Sequence, residues 1–221
     1  VKIAQKLGEK KLYHYIRQFG FGEVTDIDLP GEVGGIIRKP QYWSKYSITS
    51  IPIGQEVAVT ALQMAVAMSA VANGGNLVRP YVIDHISDRE NIVIKETKPY
   101  VRRTFLKDSV CDRVRDILTS VVAEGTGKRA QIDGVAVAGK TGTAQKILDS
   151  GKGYSHDDFM SSFVGFVPAD DPKFTIIVVL DEPGPLYYGG TVAAPVFKNI
   201  AEKTLNYIGY EKEENEAVTN N

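Results

Sequence analysis

The sequence predicts an α+β fold, and three observations carry that prediction. Helical spacing marks the start of the chain and the stretches 61–72 and 109–123. Three strand-like segments then follow in close succession, and a helical stretch closes the chain. Of the 221 residues, 43% are hydrophobic and 24% charged, an ordinary balance for a globular domain. That length allows one domain or a little more. The 26 Lys and Arg against 27 Asp and Glu exclude the basic excess of a nucleic-acid binder. The single cysteine, Cys111, excludes an intrachain disulfide framework and a Cys-rich zinc site. The most apolar run, 57–72, is interrupted by Thr60, Gln63 and Ser69, and it is shorter than the roughly 20 residues a bilayer core needs.

Each element has its own reason. In residues 1–19, Val1, Ala4 and Leu7 share one helical face and Leu12, Ile16 and Phe19 another, with Gly8 between them and Gly20 at the end. The chain opens inside this helical pattern with no capping residue ahead of it, so it reads as a piece of a longer chain. Residues 20–53 are rich in Gly and Pro and are expected to form a long ordered loop. Thr60 and Gln63 match a capping box, which predicts a buried helix over 61–72 ended by Asn73-Gly74-Gly75, with Met64 and Met68 in its core packing. Weak alternation over 77–105 predicts short strands.

Asp108 is placed to cap a helix over 109–123 whose stripe is Val110, Val114, Ile117, Leu118, Val121 and Val122. Cys111 lies beside that stripe as a buried or half-buried thiol. Strands are expected at 134–145, 161–167 and 174–181, the last two joined as a hairpin by Pro168-Ala169-Asp170-Asp171-Pro172. His156-Asp157-Asp158 reads as a solvated loop. The closing helix is expected at 193–208, with Pro195 in its first turn and Phe197, Ala201, Leu205 and Ile208 on one face. Residues 210–221 have little to bury and read as a disordered tail.

The sharpest chemical signal lies in Gly134-Val-Ala-Val-Ala-Gly139-Lys140-Thr141. Its letters fit the phosphate-binding loop, G-x-x-x-x-G-K-[ST]. The flanks do not. Val-Ala-Val-Ala prefers an extended strand, Thr-Gly-Thr is a poor helix start, and no apolar strand precedes Gly134. The other reading takes Lys140-Thr141-Gly142 as a K-T-G triplet on a strand. Strand alternation then sets Lys140 and Gly142 on one face and Thr141 and Thr143 on the other. Gly142 would let a substrate backbone pass close by, and the strand edge would offer N–H groups to an extended peptide or an oxyanion. Read alone, Lys140 fits a solvated strand lysine equally well. His14, His85 and His156 have no ligand spacing, so no metal is expected. Ser161 and Ser162 have no His or Lys spaced to activate them.

The segments IGQEVAVTALQMAVAMSAVANGG (53–75), VVAEGTGKRA (121–130), VAGKTGTAQK (137–146), SSFVGFVPADDP (161–172) and YYGGTVAAPVFKNIA (187–201) resemble, in order, the transpeptidase domain of class B penicillin-binding proteins. The resemblance covers most of the chain, 1–209. It implies part of a serine β-lactamase/transpeptidase-like fold, in which an antiparallel sheet of about three strands is packed with helices. It also implies a serine acyltransferase that cross-links peptidoglycan stem peptides ending in D-Ala-D-Ala and is trapped by β-lactams, without a cofactor. By position, Lys140 supplies charge on the cleft wall, and Thr141 and Thr143 bind the ligand carboxylate. Gly142 lies between them, and the backbone N–H of Thr143 is an oxyanion donor. Gly125, Thr126 and Tyr188 border the cleft. For Gly125 and Thr126 a plain helix end remains open, and for Tyr188 a turn.

Two of the family's motifs are missing from these residues. No Ser is followed three residues later by Lys, and there is no Ser-x-Asn. The chain alone is therefore expected to be inactive. It should pair with the missing N-terminal half of the domain or self-associate through an exposed apolar surface. The parent is expected at the extracytoplasmic face of a bacterial cytoplasmic membrane. A β-lactamase or D,D-carboxypeptidase of the same fold, and a non-catalytic penicillin-binding module, remain as alternatives.

Overall fold

In the computed structural model, residues 1–148 and 153–211 are described. The expected tail falls almost wholly outside them. The chain divides into two compact units, Val1–Asp108 and the residues from Ser109 onward. No described helix is long and apolar enough to cross a membrane.

The first unit opens with α1 (Lys2–Leu7) and α2 (Glu9–Gln18). Gly8 separates them at φ 81°, a backbone setting that favours glycine. Residues 20–53, expected to be a loop, contain β1 (Ile36–Ile37), the single turn α3 (Ser47–Ser50) and two short 3-10 turns. β2 (Val57–Ala58) pairs with β1, and α4 (Ala61–Ala72) follows. Two more antiparallel ribbons complete the unit. β3 (Asn76–Arg79) pairs with β6 (Tyr100–Thr104), and β4 (His85–Ser87) pairs with β5 (Val93–Glu96).

The long loop is ordered by side chains. Glu23 accepts ion pairs from Arg17 at 3.1 Å and from Arg102 and Arg103 at 3.4 and 2.6 Å. The α4 cap forms as the sequence predicts: Gln63 N–H donates to Thr60 Oγ1 at 3.1 Å and Thr60 N–H to Gln63 Oε1 at 3.0 Å. The Gln63 amide also donates to the carbonyls of Glu23 at 2.7 Å and Gly34 at 2.8 Å. One side chain thus caps a helix and staples a loop. The helix is less buried than its composition predicts. Gln63, Val66, Ala67, Ala70 and Val71 are buried, whereas Met64 and Met68 are only partly covered. Val66, Ala70 and Leu77 form the small core of this unit.

In the second unit, α5 (Asp108–Ala123) leads through a 3-10 turn (Lys128–Ala130) into one antiparallel sheet, in the order β7 (Ala138–Ile147), β8 (Tyr154–Val167), β9 (Phe174–Asp181). The single turn α6 (Gly189–Val192) and α7 (Ala194–Tyr207) close it. Phe163 on β8 and Phe197 on α7 meet in the core with ring centroids 4.7 Å apart, surrounded by Val122, Val178, Ala201 and Leu205.

Four expectations need correction here. β7 starts at Ala138 rather than Gly134, because Ile132 and Val135 close a turn in which Gly134 takes φ 71°. β8 starts seven residues earlier than expected and absorbs His156-Asp157-Asp158. Those residues lack strand propensity, but Gln145 pairs with Phe159 and Ile147 with Tyr154, so tertiary pairing overrides the local preference. On α5 the buried positions are Cys111 and Val122, while Val110 and Ile117 are exposed, so the inward face is turned from the centre of the apolar stripe. On α7, Phe197, Ala201 and Leu205 are buried as expected, but Ile208 lies past the helix end and is 50% exposed.

Candidate active site

The K-T-G triplet lies inside β7, which runs extended through Ile147. A phosphate-binding loop needs a helix after its lysine, so that reading fails. Among the described residues β7 is an edge strand, with β8 on one side only. Half of its backbone N–H and C=O groups therefore point away from the sheet, where an added extended chain would bond.

The sheet register explains Gly142. It lies directly opposite Ser162, and the Ser162 hydroxyl occupies the room a Cβ on Gly142 would need. The room beside Gly142 is thus filled by the sheet's own serine. Gly139 has a related cause: a Cβ there would press on the buried Phe163 ring.

Lys140 is exposed, yet its ammonium turns back along the strand. It donates to the Thr141 carbonyl at 2.9 Å and to Thr141 Oγ1 at 3.2 Å. Strand alternation predicts opposite faces for these two side chains; the length of the lysine carries Nζ round to the threonine hydroxyl. Loss of water around the ammonium lowers the Lys140 pKa below the ordinary 10.5.

Two further segments converge on β7. At the end of α5, Gly125 N–H and Gly127 N–H both donate to the Val121 carbonyl at 3.1 Å, which closes the helix. Gly125 is thereby part of the helix end. The same turn sets Thr126 Oγ1 2.9 Å from Thr141 Oγ1. The helix end thus lies against the K-T-G strand.

The Tyr187-Tyr188-Gly189-Gly190 turn lies against the strand from the other direction. Gly189 N–H donates to Thr143 Oγ1 at 3.1 Å. A Cβ on Gly189 would overlap the carbonyls of Gly142 and Ser162, and one on Gly190 would overlap the carbonyl of Thr126. The buried Ser161 hydroxyl donates to the Tyr187 carbonyl. Tyr187 stacks on Phe159 with centroids 4.0 Å apart and planes 7° apart, and Tyr188 leans on Tyr187 at 4.7 Å while remaining 61% exposed.

The structure therefore brings Lys140, Thr141, Gly142, Thr143 and Thr126 together and places the turn carrying Tyr188 beside them. Sequence reasoning missed Ser161, Ser162 and Phe159 as the groups that seat this turn and strand. For Ser161 and Ser162 the only signal was position on an expected strand, and that this strand pairs directly with the triplet is a tertiary fact; Phe159 lay outside the expected strand. Among the described residues no group of three or more His, Cys, Asp or Glu could hold a metal ion.

A lysine-bearing edge strand, flanked by a threonine-bearing helix end and a Tyr-Tyr-Gly-Gly turn and backed by helices, is the arrangement of a penicillin-recognising fold. The chain belongs to the penicillin binding protein transpeptidase domain family, which matches residues 1–202. It is 40% identical to stage V sporulation protein D of Bacillus subtilis over 98% of its own length, and 36% identical to penicillin-binding protein PbpB of Mycolicibacterium smegmatis over 92%. Among solved structures it resembles penicillin binding protein 3 of Mycobacterium tuberculosis complexed with ampicillin, with a TM-score of 0.88 and 30% identity over 98% of the chain. The chain spans 33% of the length of each of those two curated relatives and 50% of that solved chain.

Proposed function

We propose that this chain provides the K-T-G wall of a peptidoglycan D,D-transpeptidase. The observation that carries the reading is the edge strand itself. Lys140, Thr141 and Thr143 sit on an open strand edge, and their hydroxyls are held by Thr126 and by the Gly189 N–H. Such a strand suits the extended end of a stem peptide. Its backbone amide at Thr143 suits an oxyanion, and its hydroxyls and ammonium suit the terminal carboxylate.

The nucleophile is not among these 221 residues, which contain no Ser-x-x-Lys. In the proposed reaction a serine from another part of the domain attacks the penultimate D-Ala carbonyl and the last D-Ala leaves. An amine of a neighbouring stem peptide then resolves the acyl-enzyme. β-Lactams take the place of D-Ala-D-Ala. The chain works joined to the portion that carries the serine, on the extracytoplasmic side of a bacterial membrane. Exposed apolar side chains such as Ile36 and Ile53 (64% and 67% exposed) supply surface for that union.

Fluorescent penicillin tests the reading. The full-length gene product should form a covalent adduct, and the 221-residue chain by itself should form none. An adduct on the isolated chain, or none on the full-length protein, overturns it.

A further inference from the structure

Hydroxyls from two strands hold the Tyr187-Tyr188-Gly189-Gly190 turn against one face of the sheet. Thr143 on β7 and Ser161 on β8 are direct register partners, so their side chains stand side by side on the same face. Gly189 N–H donates to Thr143 Oγ1 at 3.1 Å, and Ser161 Oγ donates to the Tyr187 carbonyl. The donor is fixed in both bonds, because an amide N–H only donates and a carbonyl oxygen only accepts. The cross-strand pair thus takes two backbone groups of one short turn, two residues apart. Ser161 is fully buried, so water does not compete for its proton.

Two more contacts complete the grip. Phe159 lies two residues before Ser161, and strand alternation puts it on the same face, where its ring stacks on Tyr187 at 4.0 Å. Gly189 packs so closely on the carbonyls of Gly142 and Ser162 that no Cβ fits between them. β7 needs such support. Among the described residues it has a hydrogen-bonded neighbour on one side only, and its other side is the edge proposed to receive the ligand. β8 holds the strand within the sheet, and the turn holds it from the face. The two holds meet at Thr143.

We infer that Ser161 is a positioning residue for acyl transfer: paired with Thr143, it clamps the Tyr187–Gly190 turn onto the sheet and so fixes the Thr143 backbone amide at the strand edge. This rests on the proposed transpeptidase reading and deepens it, since it names a residue outside the triplet on which the oxyanion donor depends. Ser161 acts through the turn, its proton spent on the Tyr187 carbonyl. An oxyanion donor meets charge that develops only in the transition state. A displaced amide therefore slows acylation more than it weakens the binding of penicillin.

The test is acylation of the full-length protein by a penicillin at rising concentration, which separates the dissociation constant of the first complex from the rate constant of acylation. Ser161→Ala removes the donor. The rate constant should fall about two- to tenfold, the range of a lost neutral hydrogen bond, with a smaller change in the dissociation constant. A merely structural role would reduce the fraction of molecules that acylate and leave the rate constant of the remainder unchanged. Phe159→Leu, which breaks the ring contact on the same turn, serves if the alanine variant does not fold, and it should lower the rate constant in the same sense. An unchanged rate constant, or a dissociation constant that changes more than the rate constant does, overturns the inference while the transpeptidase reading stands. Absence of acylation in the wild type overturns that reading, and this inference with it.

Discussion

Two threonine-centred clusters, one in each unit, show how alike local chemistry serves opposite ends. At Gln63 the side-chain oxygen and nitrogen and the backbone N–H all meet partners inside the protein. Gln63 is 1% exposed, and its side chain bonds the Thr60 N–H and the carbonyls of Glu23 and Gly34. Around Thr141 the groups are open to solvent on the edge of a sheet, and Lys140 is less solvated than an ordinary lysine. The first cluster is satisfied and fixes a fold. The second keeps bonding capacity in hand, at some electrostatic cost, and that capacity is what the proposed ligand would use. Burial with full satisfaction separates a structural polar cluster from a functional one where residue type does not.

The comparison breaks most visibly at Gln63. Gln63→Leu should cost about 3 kcal/mol or more of stability, because two carbonyls and one N–H lose their partners at once and each buried orphan costs about 1–3 kcal/mol. Chemical unfolding of the full-length protein measures this; a loss within the error of the wild type would show that the staple carries no load. At the second cluster the effect moves from stability to rate. Lys140→Met should lower penicillin acylation by up to about 100-fold, the upper range for a charged hydrogen bond, and change stability by less than about 0.5 kcal/mol.

Gly189→Ala sharpens the contrast, since it strikes the seat of the K-T-G strand rather than its chemistry. The added methyl would overlap the carbonyls of Gly142 and Ser162, which should cost about 1–3 kcal/mol and slow acylation as well. Thermal unfolding and acylation kinetics on one preparation separate this variant from Lys140→Met, which should move only the second.

The smallest effect is in the pH profile. The lowered pKa of Lys140 means that its ammonium is lost below pH 10.5, so the alkaline limb of acylation should fall below that of an ordinary lysine. In the same window the unfolded chain binds more protons than the folded one. The contribution of Lys140 to stability therefore rises as pH climbs from its folded pKa toward 10.5. Lys140→Met should remove both features, and an alkaline limb unchanged in that variant would assign it to another group.

Much of this was readable before any coordinates. The α4 cap was visible in Thr60 and Gln63, because a capping box is a contact between residues three apart. The β8–β9 hairpin was visible in its Pro-rich turn. The triplet on β7 was visible because Thr-Gly-Thr is a poor helix start, although of Val-Ala-Val-Ala only Ala138 belongs to the strand. The errors lie where partners are distant in sequence. The early start of β8 depends on pairing with the end of β7. The inward face of α5 depends on what packs against it, which an apolar stripe read along the helix alone does not record.

The sequence by itself determined most of the element types, the α4 cap, the triplet and the family to which the chain belongs, because each rests on spacings of a few residues or on ordered motifs. Only the tertiary structure decided why Gly142 and Gly189 are glycines, that Lys140 bonds the neighbouring threonine, and that Thr126 meets Thr141. Lys140 and Thr141 are neighbours in the chain, but the Thr126–Thr141 and Gly189–Thr143 contacts join positions 15 and 46 apart, brought within a few ångströms by the sheet and the turns that lie on it. Short-range propensity carries no record of such meetings, since the free energy that sets them is the packing of the whole unit.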